Sequence, residues 1–320
     1  MYKNLAFTKT KGEVIFLFER RTDLAIEARD IYKESTKTDE IPGIETEEAG
    51  DSEVRITRVR VVSEEGAAAI GKKIGTYITI DAPQLRENNP DAGEKITNAL
   101  KSELQGLLGD CEEKIILVAG LGNSRITPDS IGPRVVSNTV VTRHLFSSMP
   151  EDFCEGLSHV CAIAPGVLGI TGIETGEIVK GITEKVHPDI IIAVDALASR
   201  KMDRVSTTIQ IADTGISPGS GVGNKRKALD SETLGIPVIA IGVPMVVDAA
   251  TIAYDILDEL PIDDDKKSAL VGSVLPDKST MVTPKEIDAI AERISKILAN
   301  GINFALHKDL TTEEIGMFVG

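Results

Sequence analysis

The sequence predicts a single α/β domain: a mixed, mainly parallel β-sheet flanked by helices, with an N-terminal hairpin. Three observations carry that expectation. Four short, near-continuous apolar runs recur along the chain, IILVAG (115–120), HVCAIAP (159–165), IIIAVDAL (190–197) and PVIAIGVP (237–244). Strands buried on both faces read this way, and parallel sheets bury both faces. Longer stretches with helical periodicity separate these runs. With 320 residues, 42% of them hydrophobic and 27% charged, the chain is long enough for a sizeable core and too apolar for wholesale disorder.

Taken in order, residues 34–53 are rich in Glu, Asp and Thr, contain Pro42-Gly43 and lack apolar periodicity, so an exposed loop is expected there. VRITRVRVV (54–62) alternates apolar and polar residues and TYITI (76–80) follows, which predicts two half-buried strands in a hairpin sub-region of about 53–82. The intervening EEGAAAIGKKIG reads as a short turn or helix. Residues 90–108 open on Pro-Asp and place Ile96, Leu100, Leu104 and Leu107 at helical spacing. Further helices are expected over 130–146, 174–186 and 247–260. The last long element, 284–306, has Thr283 as its expected N-cap, Pro284 just inside, and Ile287, Ile290, Ile294, Ile297 and Leu298 along one stripe. No internal repeat is present.

The formal charge of -15 gives a surface that repels polyanions, which argues against direct nucleic-acid binding. Cys111, Cys154 and Cys161 form no CxxC pair, and their odd number suits a reducing compartment. His144, His159, His187 and His307 show no metal-ligand spacing. The apolar stretch 14–18 is too short for a signal-peptide core and is followed by Glu19, Arg20 and Arg21. No apolar run approaches the ~20 residues of a membrane helix. The expected location is the cytoplasm.

Two acids stand where α/β folds keep their sites. A strand running into GLGN (120–123) resembles half of a dinucleotide fingerprint, but the third glycine position holds Arg125. A nucleotide site and a plain tight turn are both open readings there. Asp129 follows Pro128 and precedes the next helix, as an N-cap or as a carboxylate at the carboxyl edge of the sheet. Asp195 ends the run IIIAVD, where a strand emerges from the sheet; a bond to a loop is the structural alternative. If the two converge, they cannot both ionise easily and must share a proton. One can then deprotonate water while the other donates to a carbonyl, the logic of an aspartic hydrolase.

The segment 210–227 carries Gly215, Gly219, Gly221 and Gly223, then Lys225, Arg226 and Lys227. It reads as a phosphate cradle, as a flexible loop with a solvated basic end, or as a receptor for an acidic substrate side chain through Lys225 or Arg226. Asp213 and Asp248 are expected to cap or close turns.

The segments RTDLAIEA (21–28), GLGNSRITPDSIGP (120–133), VTRHLF (141–146), APGVLGITGIETGEIVKGI (164–182), DIIIAVDALASR (189–200), TTIQIADTGISPGSGVGNKRK (207–227) and LGIPVIAIGVP (234–244) together resemble the germination protease family of spore-forming bacteria. The likeness runs from Arg21 to about His307. It implies an atypical aspartic endopeptidase, made as a zymogen during sporulation and acting in germination on small acid-soluble spore proteins. It further implies a homotetramer in the developing spore, no metal or other cofactor, and a fold similar to that of the hydrogenase-maturation endopeptidases. The family's proposed catalytic aspartates lie in the segments matching TPDSIGP and IAVDALA, hence Asp129 and Asp195. Residues 1–23 correspond to a propeptide, removed by self-cleavage between Asp23 and Leu24 to leave a peptidase domain of 24–320. The sequence departs from the family in a shorter 261–281 region and in a propeptide of its own.

Overall fold

Apolar alternation along the strands sorts the side chains to two faces, and helices cover both. The computed structural model describes residues 9–10, 13–14, 22–38, 40–150, 154–219, 227–258, 260–275, 280–308 and 310–319. In chain order the elements are β1 (Lys9–Thr10), β2 (Glu13–Val14), α1 (Ala25–Thr36), β3 (Ile44–Gly50), β4 (Arg55–Val61), α2 (Glu64–Ile70), β5 (Gly75–Asp81), α3 (Pro90–Leu108), β6 (Ile115–Gly120), α4 (Ile131–Ser137) and β7 (His159–Ile163). There follow α5 (Leu168–Thr171), α6 (Thr175–Val186), β8 (Ile190–Ser199), β9 (Thr208–Ala212), α7 (Ser231–Leu234), β10 (Val238–Asp248), α8 (Ala249–Asp258), α9 (Asp264–Val274), β11 (Met281–Val282), α10 (Ile287–Leu306) and α11 (Thr312–Val319). Among the described residues no helix is long and apolar enough to cross a membrane.

Among the described residues nine strands form one sheet in the order β3-β4-β5-β9-β10-β8-β6-β7, with β11 also on β10. Only β10-β8-β6-β7 is parallel. Every pairing from β3 across to β10 is antiparallel, as is that of β11. The sheet is therefore mixed but not mainly parallel. The expected hairpin is no separate appendage: β9 pairs with β5 on one side and β10 on the other, joining it to the parallel half.

Alternate residues of the central strands point to opposite cores. Ile116, Val118, Ile190, Ile192, Val194, Ile209, Ile211, Ile239 and Ile241 face α3, α4 and α10. Leu117, Ala119, Ile191 and Ala193 face α6, and Tyr77 and Ala212 face α1 and α2. The helix α3 has the expected bounds because its ends are written into the sequence. Asn89 accepts the Ala92 N–H at 3.3 Å, Pro90 occupies the first turn, and Gly109 at φ +65° ends it.

Several expectations are corrected. The region 34–53 is not all loop: α1 runs to Thr36, and Ile44–Gly50 is an edge strand, polar on both faces and matched to β4 by Arg58–Glu47 (3.0 Å) and Arg60–Glu45 (3.4 Å) ion pairs. Residues 130–146 do not form one helix. After Ser137 the chain turns to the edge of β7, where the Thr142 hydroxyl accepts the Val160 N–H at 3.0 Å and Val140 N–H donates to Asn303 Oδ1 at 2.9 Å. Thr283 does not cap the last helix. Its hydroxyl donates to Met245 O at 2.9 Å, and α10 starts at Ile287 with Glu286 in the N-cap position.

Candidate active site

β6 ends at Gly120, which pairs with Val194 on β8. Asp195 is therefore the first residue of β8 beyond its neighbour's end, at the carboxyl edge where parallel strands open a crevice. The chain leaving β6 stays close, since Leu121 N–H donates to Val194 O at 2.7 Å. Glycines make this turn dense. A Cβ on Gly120 would lie 2.1 Å from Gly132 O, and one on Gly122, at φ +108°, would lie 2.1 Å from Asp129 O. Residues 129 and 132 thus pack backbone-close against the two glycines of the turn.

Asp129 is held in the turn between β6 and α4. Asn123 N–H donates both to its carbonyl oxygen and to its Oδ2, each at 2.9 Å. It is not the N-cap of α4; Ser130 holds that position without a capping side-chain bond. Asp195 is 5% exposed, and its Oδ1 accepts the N–H of Ala196 at 2.9 Å. Burial, above all, holds the Asp195 carboxyl well above the usual carboxylate range. The nearby charge of Asp129 adds to the rise, as does that of Asp23, while the Ala196 N–H opposes it. The two acids singled out in the sequence therefore lie within electrostatic reach of each other, with Asp23 as a third.

The segment 22–27 docks on the same face. Asp23 N–H donates to Ala198 O at 3.2 Å and its Oδ2 accepts the Ala198 N–H at 3.0 Å, three residues beyond Asp195 on β8. Leu24 and Ala25 are fully buried, and Leu24 and Ile26 pack against Leu197. Glu27 is buried too; its carboxylate accepts the Arg200 N–H at 2.8 Å, the Lys201 N–H at 3.0 Å and the Thr22 hydroxyl. The Asp23 carbonyl oxygen accepts from Lys72 Nζ at 2.7 Å and Gln210 Nε2 at 3.2 Å.

Lys225 and Arg226 lie outside the described residues, and Lys227 is exposed. Asp213 Oδ1 accepts the Thr76 N–H at 2.8 Å where β5 begins, and Asp248 Oδ1 accepts the Ala250 N–H at 2.7 Å at the start of α8. Asp248 closes a turn, as expected, whereas Asp213 ties the end of β9 to the start of β5 instead. Sequence reasoning missed Lys72, Gln210 and the anchoring of Glu27. The only signal was the segment RTDLAIEA, whose acids have to meet something. Among the described residues no group of three or more His, Cys, Asp and Glu converges as metal ligands would.

With this geometry in place, comparison with known proteins is specific. The family profile described as germination protease matches residues 25–262 and 259–319, and its two stretches meet beside the region 261–281 that the sequence marks as shorter. A germination protease of Clostridium perfringens (strain ATCC 13124) is 48% identical over 95% of this chain and 100% of its own length. One from Caldanaerobacter subterraneus subsp. tengcongensis is 46% identical over 96% of this chain and 100% of its own length. That of Bacillus subtilis (strain 168) is 41% identical over 93% of this chain and 96% of its own. Similarity of this extent, reaching from the docked segment behind Leu24 through both acid-bearing segments to α11, establishes that the chain belongs to the germination protease family.

Proposed function

We propose that this peptidase hydrolyses peptide bonds with a water activated by Asp129 and Asp195, and that its first substrate is its own Asp23–Leu24 bond. One observation carries the reading: a buried carboxyl whose pKa is raised beside a second acid sits three residues along β8 from the docked Asp23. Asp195, desolvated and crowded by like charge, carries the proton. Asp129, on the half-buried turn and accepting the Asn123 N–H, carries the negative charge and takes a proton from water.

Cleavage there converts a zymogen of 1–320 into a peptidase of 24–320. A tethered copy of the substrate sequence is present at high effective concentration, so one segment can both block the site and be cut by it. Small acid-soluble spore proteins are the substrates on this reading, within the developing spore, with a homotetramer as the working assembly. The turn bearing an acid after the first parallel strand supports kinship in fold with the hydrogenase-maturation endopeptidases. The test is intact mass over time for the wild type, Asp129→Asn and Asp195→Asn at mildly acidic and neutral pH. A product beginning at Leu24 from the wild type alone is the expected result; cleavage surviving in both variants overturns the pair. Light scattering checks the tetramer.

A further inference from the structure

Two side chains that no motif singles out converge on the oxygen of the bond in question. Lys72 comes from the turn after α2, where Gly71 at φ +64° ends the helix, and reaches the Asp23 carbonyl at 2.7 Å. Gln210 comes from the middle of β9 and reaches the same oxygen at 3.2 Å. Its Oε1 meanwhile accepts the Ala25 N–H at 2.6 Å, so a single carboxamide brackets Leu24 from both sides.

Strand register puts Gln210 there. Gln210 pairs with Gly242 across β9 and β10, and Gly242 pairs with Asp195 across β10 and β8. Residues in such a row share a face, so Gln210 and Asp195 stand two strand spacings apart, roughly 10 Å, and the glycine between them adds no side chain of its own. A Cβ at Gly242 would lie 2.4 Å from the Leu197 side chain, against which Leu24 and Ile26 pack. The Leu197 side chain fills the gap in the row and the segment that follows the bond packs against it, with an acid at one end of the row and an amide donor at the other.

This rests on the reading that Asp23–Leu24 is the bond cut: we propose that Lys72 and Gln210 form a two-donor hole that receives the charge developing on the Asp23 carbonyl oxygen. Water's oxygen bonds to the carbonyl carbon, one of its protons passes to Asp129, and the C=O pair moves onto the oxygen held by Lys72 and Gln210. As that pair returns, the C–N bond breaks and the Leu24 nitrogen takes the proton of Asp195. Asp129 then hands its proton to Asp195, and the new carboxylic acid loses its own to solvent. With the oxygen already held, the acid's proton serves the leaving nitrogen rather than the carbonyl. Donors already fixed on the oxygen are effective because they need no reorganisation when charge appears. Burial pushes the Lys72 ammonium below the ordinary lysine range, the carboxylates of Asp23 and Glu27 opposing, as desolvation of such a cation should.

The experiment uses the full chain. First-order self-cleavage is followed by intact mass for the wild type, Lys72→Met, Lys72→Arg and Gln210→Glu, together with hydrogen exchange at Leu24 and Ala25. Gln210→Glu keeps an acceptor for Ala25 N–H but turns the donor facing Asp23 into an acceptor. Lys72→Met and Gln210→Glu should each slow cleavage by ~10²-fold, with Lys72→Arg between Lys72→Met and wild type. Exchange protection of segment 22–27 should persist in Lys72→Met, which changes a turn outside the core and keeps the test alive if Gln210→Glu does not fold. Rates within threefold of wild type, or slowing only in step with lost protection, overturn the hole and make the pair mere docking contacts. A wild-type chain yielding no product that begins at Leu24 overturns the underlying reading instead.

Discussion

Gly132 is where the two acid-bearing elements touch, and replacing it by Ala tests whether their spacing matters. A Cβ there would lie 2.3 Å from Leu121 O, 2.4 Å from Leu121 N and 2.5 Å from Val194 O, all backbone atoms, whereas ordinary contact begins at 3.4 Å. The helix start must therefore retreat by about 1 Å, because neither β6 nor β8 can yield. Asp129 lies three residues before Gly132 and is tied to the GLGN turn by its bonds to Asn123. Asp195 follows Val194 directly. The shift consequently falls on the distance between the two carboxyl groups. Overpacking of this kind destabilises by about 1–3 kcal/mol, and a misplacement of about 1 Å in catalytic geometry can lower a rate about 10²-fold. Urea unfolding measures the first and self-cleavage followed by mass the second. A Gly132→Ala chain with unchanged stability that cleaves within threefold of wild type would refute the argument that this contact sets the acid pair.

Other outcomes follow from single groups. An acid whose folded pKa is raised stabilises the fold while protonated; that contribution is complete below the unfolded value of about 4 and is lost as pH rises toward the folded one. Asp195→Asn should therefore flatten the fall of stability as pH rises above about 4 relative to wild type, and parallel urea-unfolding curves would contradict it. His307 behaves in the opposite sense, since burial lowers its pKa from 6.5 to about 4. Its contribution is complete above 6.5 and should fall by about 3 kcal/mol as pH drops to about 4, a loss absent in His307→Gln when unfolding is followed across that window. Glu27→Gln removes the charge that two backbone N–H groups and, at 3.7 Å, the Arg204 guanidinium converge on. It should destabilise the chain by about 1.5–3 kcal/mol in urea titration and raise exchange at segment 22–27.

What was legible in the sequence depended on how local its cause is. The strands β6, β8 and β10 are near-continuous apolar runs, and α3 carries its own cap, stripe and terminating glycine, so each could be placed without its neighbours. β3 could not, because as an edge strand it carries four exposed charged or polar residues in a row and is held by arginines on β4. β9 has five residues, TIQIA, running straight into the glycine-rich loop, and its identity comes from partners on both sides. Missing it made the sheet look mainly parallel. The same contrast holds at the site. Asp129 and Asp195 announce themselves by ending or following apolar runs, whereas Gln210 acquires meaning only through the row Gln210-Gly242-Asp195, and Lys72 only through a segment 49 residues earlier.

The polar edge strand has a consequence for how copies of the chain can meet. β3 ends the sheet, and its outer backbone groups are the kind of template onto which another strand adds. It also bears Glu45, Glu47 and Glu48 in a protein already strongly acidic. Two copies approaching edge to edge would set these carboxylates against their own images, so the row works as a guard against runaway sheet extension. Self-association that is orderly and stops at a fixed number must then be built on other surfaces.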